Sequence, residues 1–131
     1  MVKFILDISF VVNYVENFYS DNHCGKILDK ALPSFMIGDP MLMVTVEIIK
    51  QAKELYPERI LVLDTLFGMC HIIDVKGKDK IDTLIKSCAI SEVWDKETHV
   101  LADDSFIIDA INKTTHRAIS IETAKEILKI N

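Results

Sequence analysis

Short apolar runs alternate with segments of helical spacing along this 131-residue chain, and that alternation limits its fold more than any other feature. Residues 2–6 read as a buried strand. Residues 9–19 carry Phe10, Val11, Tyr14, Val15 and Phe18 at helical spacing. A second short helix is predicted over 25–32, closed by Pro33, then a short strand at 35–37 before Gly38. Asp39-Pro40 has the form of a capping residue followed by proline at the first helical position, so a helix is predicted from there to about Leu55. Its apolar stripe would be Met41, Val44, Ile48, Ala52 and Leu55. Residues 58–69 fit either a strand at 60–63 or a short helix. A strand at 70–75, a helix at 79–89, a strand at 99–102, a helix at 105–112 and a strand at 118–119 follow. Ser120 then caps a terminal helix with Ile121, Ala124, Ile127 and Leu128 on one face. Strands separated by helices imply right-handed crossovers and a mainly parallel sheet of about five strands in a three-layer α/β/α domain. No repeat, linker or composition break divides residues 1–131, so a single domain is expected.

Composition removes several classes. Half the residues are hydrophobic, with four glycines and three prolines, which is incompatible with a disordered or low-complexity chain. No apolar run reaches the roughly 18–20 residues that span a membrane. The opening segment meets Asp7 too early for a signal peptide, so a cytoplasmic location is expected. Cys24, Cys70 and Cys88 are far apart and form no C-x-x-C pair, and buried free thiols are their expected state. A net charge of −5 argues against nucleic-acid binding by bulk electrostatics. It does not exclude a nuclease, because an acidic pocket lowers net charge and a bound cation reverses its sign locally. Lys26, Lys30, Arg59, Lys76, Lys78, Lys80, Lys113 and Arg117 are candidate phosphate contacts or plain surface charge.

Two of the strands end on acid. Residues 2–6 lead into Asp7, and residues 99–102 into Asp103-Asp104. If these strands are parallel neighbours, both acids lie on the sheet edge where open α/β folds bind ligands. Glu47 and Asp82 are further candidates, with Asp39 as the rival to Glu47. Each acid has an ordinary explanation too. Asp7 and Asp104 suit helix caps, Asp79 and Asp82 resemble a capping box, and Glu47 suits a solvent-facing helix flank. Gathered carboxylates are expected to raise one another's pKa and to favour a divalent cation.

The segment Phe4-Ile5-Leu6-Asp7-Ile8-Ser9 resembles the opening of the PIN domain, a family of small metal-dependent ribonucleases that includes the VapC-type toxins. In that family a hydrophobic strand ends in Asp-x-Ser or Asp-x-Asn. Val44-Thr45-Val46-Glu47-Ile48-Ile49 is similar to the family's second acidic motif. Asp82-Thr83-Leu84-Ile85-Lys86-Ser87-Cys88-Ala89 is similar to its third, and Ala102-Asp103-Asp104 to its last, Thr-x-Asp. The resemblance covers essentially the whole chain in order. Ile8 and Ala102 stand where the family usually has threonine.

The resemblance implies a metal-dependent endoribonuclease, a toxin or an RNA-processing enzyme, using Mg²⁺ or Mn²⁺. Asp7, Asp82 and Asp104 would be metal ligands, and Glu47 would complete the catalytic set. Ser9 would hydrogen-bond a ligand carboxylate or a phosphate oxygen, with Asp39 and Asp103 as secondary candidates. Single-stranded or structured RNA, an antitoxin or other protein partner, and a homodimer are implied as well, with no membrane. Tyr14, Phe18 and Tyr19 are candidates for stacking on bases or for core packing. The alternative is a catalytically inactive PIN-like module that binds RNA or protein. A phosphoacceptor domain of the response-regulator kind ranks third, because Asp7 stands alone and residues 118–120 carry no lysine.

Overall fold

The computed structural model describes residues 2–20, 23–93, 97–115 and 117–130. Among these, five strands and seven α-helices alternate: β1 (Val2–Leu6), α1 (Ile8–Glu16), α2 (His23–Met36), β2 (Leu42–Thr45), α3 (Val46–Leu55), α4 (Ile60–Phe67), β3 (Cys70–Ile73), α5 (Lys80–Glu92), β4 (Glu97–Leu101), α6 (Ser105–Asn112), β5 (Ala118–Ile119) and α7 (Ile121–Ile127). The strands form one parallel sheet in the order β3-β2-β1-β4-β5. β1 lies at its centre. It pairs with β4 along its whole length, from Val2 opposite Glu97 to Leu6 opposite Leu101.

Side-chain alternation divides the core into two layers. Phe4, Leu6, Leu42, Val44 and Leu101 pack against α1, α2, α3, α4 and α7. Ile5, Met43, Val100, Ala102 and Ala118 face α5 and α6 on the other side. The sheet thus has helices on both faces, as the alternation of elements predicts. Among the described residues no helix is long and apolar enough to cross a membrane.

The stretch between α1 and α3 differs from expectation at three elements: the helix closed by Pro33, the strand at 35–37 and the helix starting at Asp39. Residues 35–37 are not a strand, because α2 continues through Pro33 to Met36. Phe35, Met36 and Ile37 are exposed, so their apolarity marks a helix end instead of a buried strand. Pro33 lies in the last turns of α2 on an exposed face, where its missing N–H is tolerated. The chain turns at Gly38, whose φ of +83° favours glycine. Asp39-Pro40 does not start a helix. The buried Lys3 ammonium binds the Asp39 carboxylate and the Pro40 carbonyl, which holds this segment extended into β2. The true start of α3 is Thr45, whose hydroxyl accepts from the Ile48 N–H. The ambiguous stretch at 58–69 is a short 3₁₀ turn at Pro57–Arg59 followed by α4.

Candidate functional site

In a parallel sheet every helix that follows a strand begins at the carboxyl edge. That edge receives Asp7 after β1, Glu47 in the first turn of α3, Asp82 in the first turn of α5 and Asp104 before α6. The strand order also fixes where a ligand would lie. The connections run outward from β1 to β3 on one side, then return to β4 on the other. The topological switch point therefore falls between β1 and β4, where open α/β sheets bind their ligands. Asp7 and Asp103-Asp104 stand at that crevice.

Asp7 has no solvent exposure. Its Oδ2 accepts from the Ser9 backbone N–H at 3.0 Å and from the Ser9 hydroxyl at 2.6 Å. The same Ser9 oxygen accepts from the Asp103 N–H at 2.8 Å, and the Asp7 N–H donates to the Leu101 carbonyl. Ser9 is thus a clasp that joins the exits of β1 and β4. The Asp7 Oδ1 is buried and receives no hydrogen bond; the Lys80 ammonium stands 3.3 Å from it. Asp103, a secondary candidate, accepts from the Asn13 amide of α1 at 2.8 Å.

The remaining acids share the edge without gathering. Asp82 takes its capping role: Asp79 accepts from the Asp82 N–H, and the Asp82 carboxylate accepts from the Lys78 N–H at 2.7 Å. Lys86 lies 3.1 Å away, one helical turn on. The Lys78 N–H bond, followed by the Lys86 bond, holds the Asp82 carboxyl below the usual carboxylate range. That direction is opposite to the mutual raising expected of clustered acids, because donors surround this carboxylate. Asp104 caps α6 through the Phe106 N–H at 2.9 Å. Glu47 is exposed and lines both an open groove of about 460 Å³, with Lys50, Asp74 and Lys76, and a cavity of about 50 Å³, with Thr45, Gln51 and Lys80. Among the described residues no three His, Cys, Asp or Glu side chains are close enough to hold a metal ion. Asp39 lies before β2 beside Lys3, at the amino edge, which removes it as the rival to Glu47.

Other candidates resolve by position. Tyr14 is buried, and Tyr19 is exposed under Arg59 beyond the far end of α1, at the amino edge. Burial pushes the thiols of Cys24, Cys70 and Cys88 up to about 12, so they remain protonated and unreactive. Two residues at the edge had gone unranked. Lys80 had been one of eight candidate surface cations, although its place after a capping aspartate puts it at the start of α5. Phe106, two positions beyond Asp104, is exposed; nothing in its spacing from Ile107 and Ile108 marks it as facing solvent.

The sheet order separates this protein from one common α/β class, and the turn after β1 separates it from another. Phosphoacceptor domains use the order 2-1-3-4-5. Dinucleotide-binding sheets begin as this one does, but they need glycines after β1 so that a pyrophosphate can approach the backbone. Here that turn is Asp7-Ile8-Ser9, with the Asp7 carboxylate buried in it. No protein-family model matches the chain, and no curated protein matches it in sequence.

Proposed function

We propose that this protein is a PIN-like, Mg²⁺- or Mn²⁺-dependent endoribonuclease acting at the β1/β4 crevice. The observation that carries the reading is the buried, hydrogen-bond-free Oδ1 of Asp7 at the topological switch point. A buried carboxylate oxygen without a hydrogen bond is costly unless a cation faces it, and here the partly exposed Lys80 ammonium stands 3.3 Å from it. The donor set suits a hard divalent ion, which takes oxygen ligands and keeps several waters around one or two carboxylates. Asp7 would supply the inner ligand and Asp104 the outer one, with Glu47 and Asp82 orienting water from the rim. Such an ion supplies an activated water and relief of charge on the phosphoryl oxygens. Ser9 fixes the Asp7 rotamer through two bonds and ties it to the exit of β4. Phe106 offers an exposed ring on which an unpaired RNA base can stack.

A specific observation favours a second reading, the inactive PIN-like module. The Asp82 carboxylate is committed to Lys78 and Lys86, and Ala102 supplies no hydroxyl beside Asp104. One experiment separates the two: calorimetric titration with Mn²⁺ and a cleavage assay on single-stranded RNA, for wild type, Asp7→Asn and Asp39→Asn. The nuclease binds Mn²⁺, is stabilised by about 2.7 kcal/mol at a hundred times the dissociation constant, and is silenced by EDTA and by Asp7→Asn but not by Asp39→Asn. RNA binding without metal-dependent cleavage selects the inactive module.

A further inference from the structure

We propose that Lys80 is a tethered cation: it holds the place of the divalent ion beside Asp7 and must swing aside when that ion binds. The inference rests on the metal-site reading above and adds a competitor built into the chain.

Four observations converge on it. The first is position. Lys80 is the first residue of α5, where the helix dipole is positive and a lysine is unfavourable. Breaking a local rule in this way is expected at functional sites, and Asp7 supplies the compensation. The second is the looseness of the contact. The 3.3 Å separation exceeds the roughly 2.7–2.9 Å of a well-made charge-assisted hydrogen bond. Lys80 neutralises Asp7 without being locked to it. The third is asymmetry of burial: the Asp7 side chain is fully buried, whereas that of Lys80 is 37% exposed. The acid is fixed and the base has water to move into. The fourth is a place to go. Lys80 lines the cavity of about 50 Å³ that Thr45, Glu47 and Gln51 also line. That volume accommodates an ammonium group, and Glu47 offers it a new carboxylate. The swing would carry Lys80 from the inner acid to the rim acid, and would leave a positive charge where an incoming phosphate approaches.

The test joins two measurements on the full chain. In the absence of metal, melting is compared for wild type, Lys80→Met, Asp7→Asn and the double variant. Lys80→Met should lower the melting temperature by roughly 5–10 °C, and the double variant should lose much less than the sum of the two singles. Titration with Mn²⁺ alone should then show Lys80→Met binding about three- to tenfold more tightly than wild type, the range a half-exposed ion pair supplies. Lys80→Gln, which keeps a polar end, serves if the methionine variant does not fold, and the same gain is expected. Wild-type binding of Mn²⁺ with equal or weaker binding by the Lys80 variants overturns the displacement and leaves the metal site standing. No Mn²⁺ binding by any variant overturns both; non-additive melting would then identify Lys80 as a permanent counter-ion of the inactive module.

Discussion

Gly77→Ala tests whether the loop before α5 fixes Asp82. A Cβ at this position would lie 2.5 Å from the Thr83 nitrogen, 2.6 Å from the Asp82 Oδ2 and 2.7 Å from the Asp82 carbonyl carbon. Two of these atoms are backbone in the first turn of α5 and cannot rotate away. The loop must therefore lift, which strains the 2.9 Å bond from the Gly77 N–H to the Thr83 hydroxyl and pulls the Lys78 N–H off Asp82. Overpacking of this kind costs about 1–3 kcal/mol, and the weakened neutral hydrogen bond adds about 1 kcal/mol. Loss of glycine's freedom in the unfolded chain returns about 0.4–1 kcal/mol. The net expectation is a destabilisation of about 2 kcal/mol, or roughly 6–8 °C in melting temperature for a domain of this size. Scanning calorimetry reads the stability. A carboxyl-detected NMR titration reads Asp82, whose pKa should climb back towards the ordinary value as its principal donor withdraws. An alanine variant that melts like wild type and leaves Asp82 unmoved would refute the close contact and the tethering inferred from it.

Asp104→Asn should fold normally yet lose most Mn²⁺-dependent RNA cleavage in a gel assay. Asp103→Asn should lose less, because the Asp103 side chain binds Asn13 and its backbone N–H, which serves Ser9, is untouched. Phe106→Ala should weaken single-stranded RNA binding in fluorescence anisotropy by about 1–3 kcal/mol per stacked base while leaving the melting temperature unchanged, since the ring is 75% exposed. Acid should cost the wild type slightly more stability than Asp82→Asn. The depressed carboxyl of Asp82 contributes fully above its unfolded value of about 4, and that contribution disappears as pH falls through the lower folded value. Urea midpoints compared at pH 6 and pH 2.5 report the difference, which stays small because Asp82 sits in solvent.

The strands buried on both faces were legible because Val2–Leu6 and the 99–102 segment are apolar apart from Lys3 and His99. β2 was misread because its local signal points the wrong way. Asp39-Pro40 has the chemistry of a helix start, and only the distant Lys3, which is nearly buried and seeks a carboxylate, draws it into an extended approach. That correction moved Glu47 from mid-helix to the first turn of α3, on the edge where the resemblance requires an acid. The capping roles of Asp7, Asp79, Asp104 and Ser120 were visible in their spacing from the helices they start. The orientation of Asp82 was not, because it depends on the Lys78 N–H and on a glycine close enough to admit it. The Lys80–Asp7 contact joins residues far apart in sequence, and no periodicity encodes it.

The central strand pair has a consequence for biosynthesis. Val2 pairs with Glu97 and Leu6 with Leu101, so the central strand and its neighbour β4 come from segments 95 positions apart in sequence. Closing so long a loop is slow and must precede its reward. During synthesis β1 is made well before β4 and must wait for it before the middle of the sheet can close. Until then Asp7 lacks the Leu101 carbonyl and the Asp103 N–H that tie its turn to β4. A nascent or prematurely ended chain thus exposes apolar surface to chaperones and proteases while lacking an assembled carboxyl edge. Whatever chemistry resides there is withheld until β4 and the turn after it have been made.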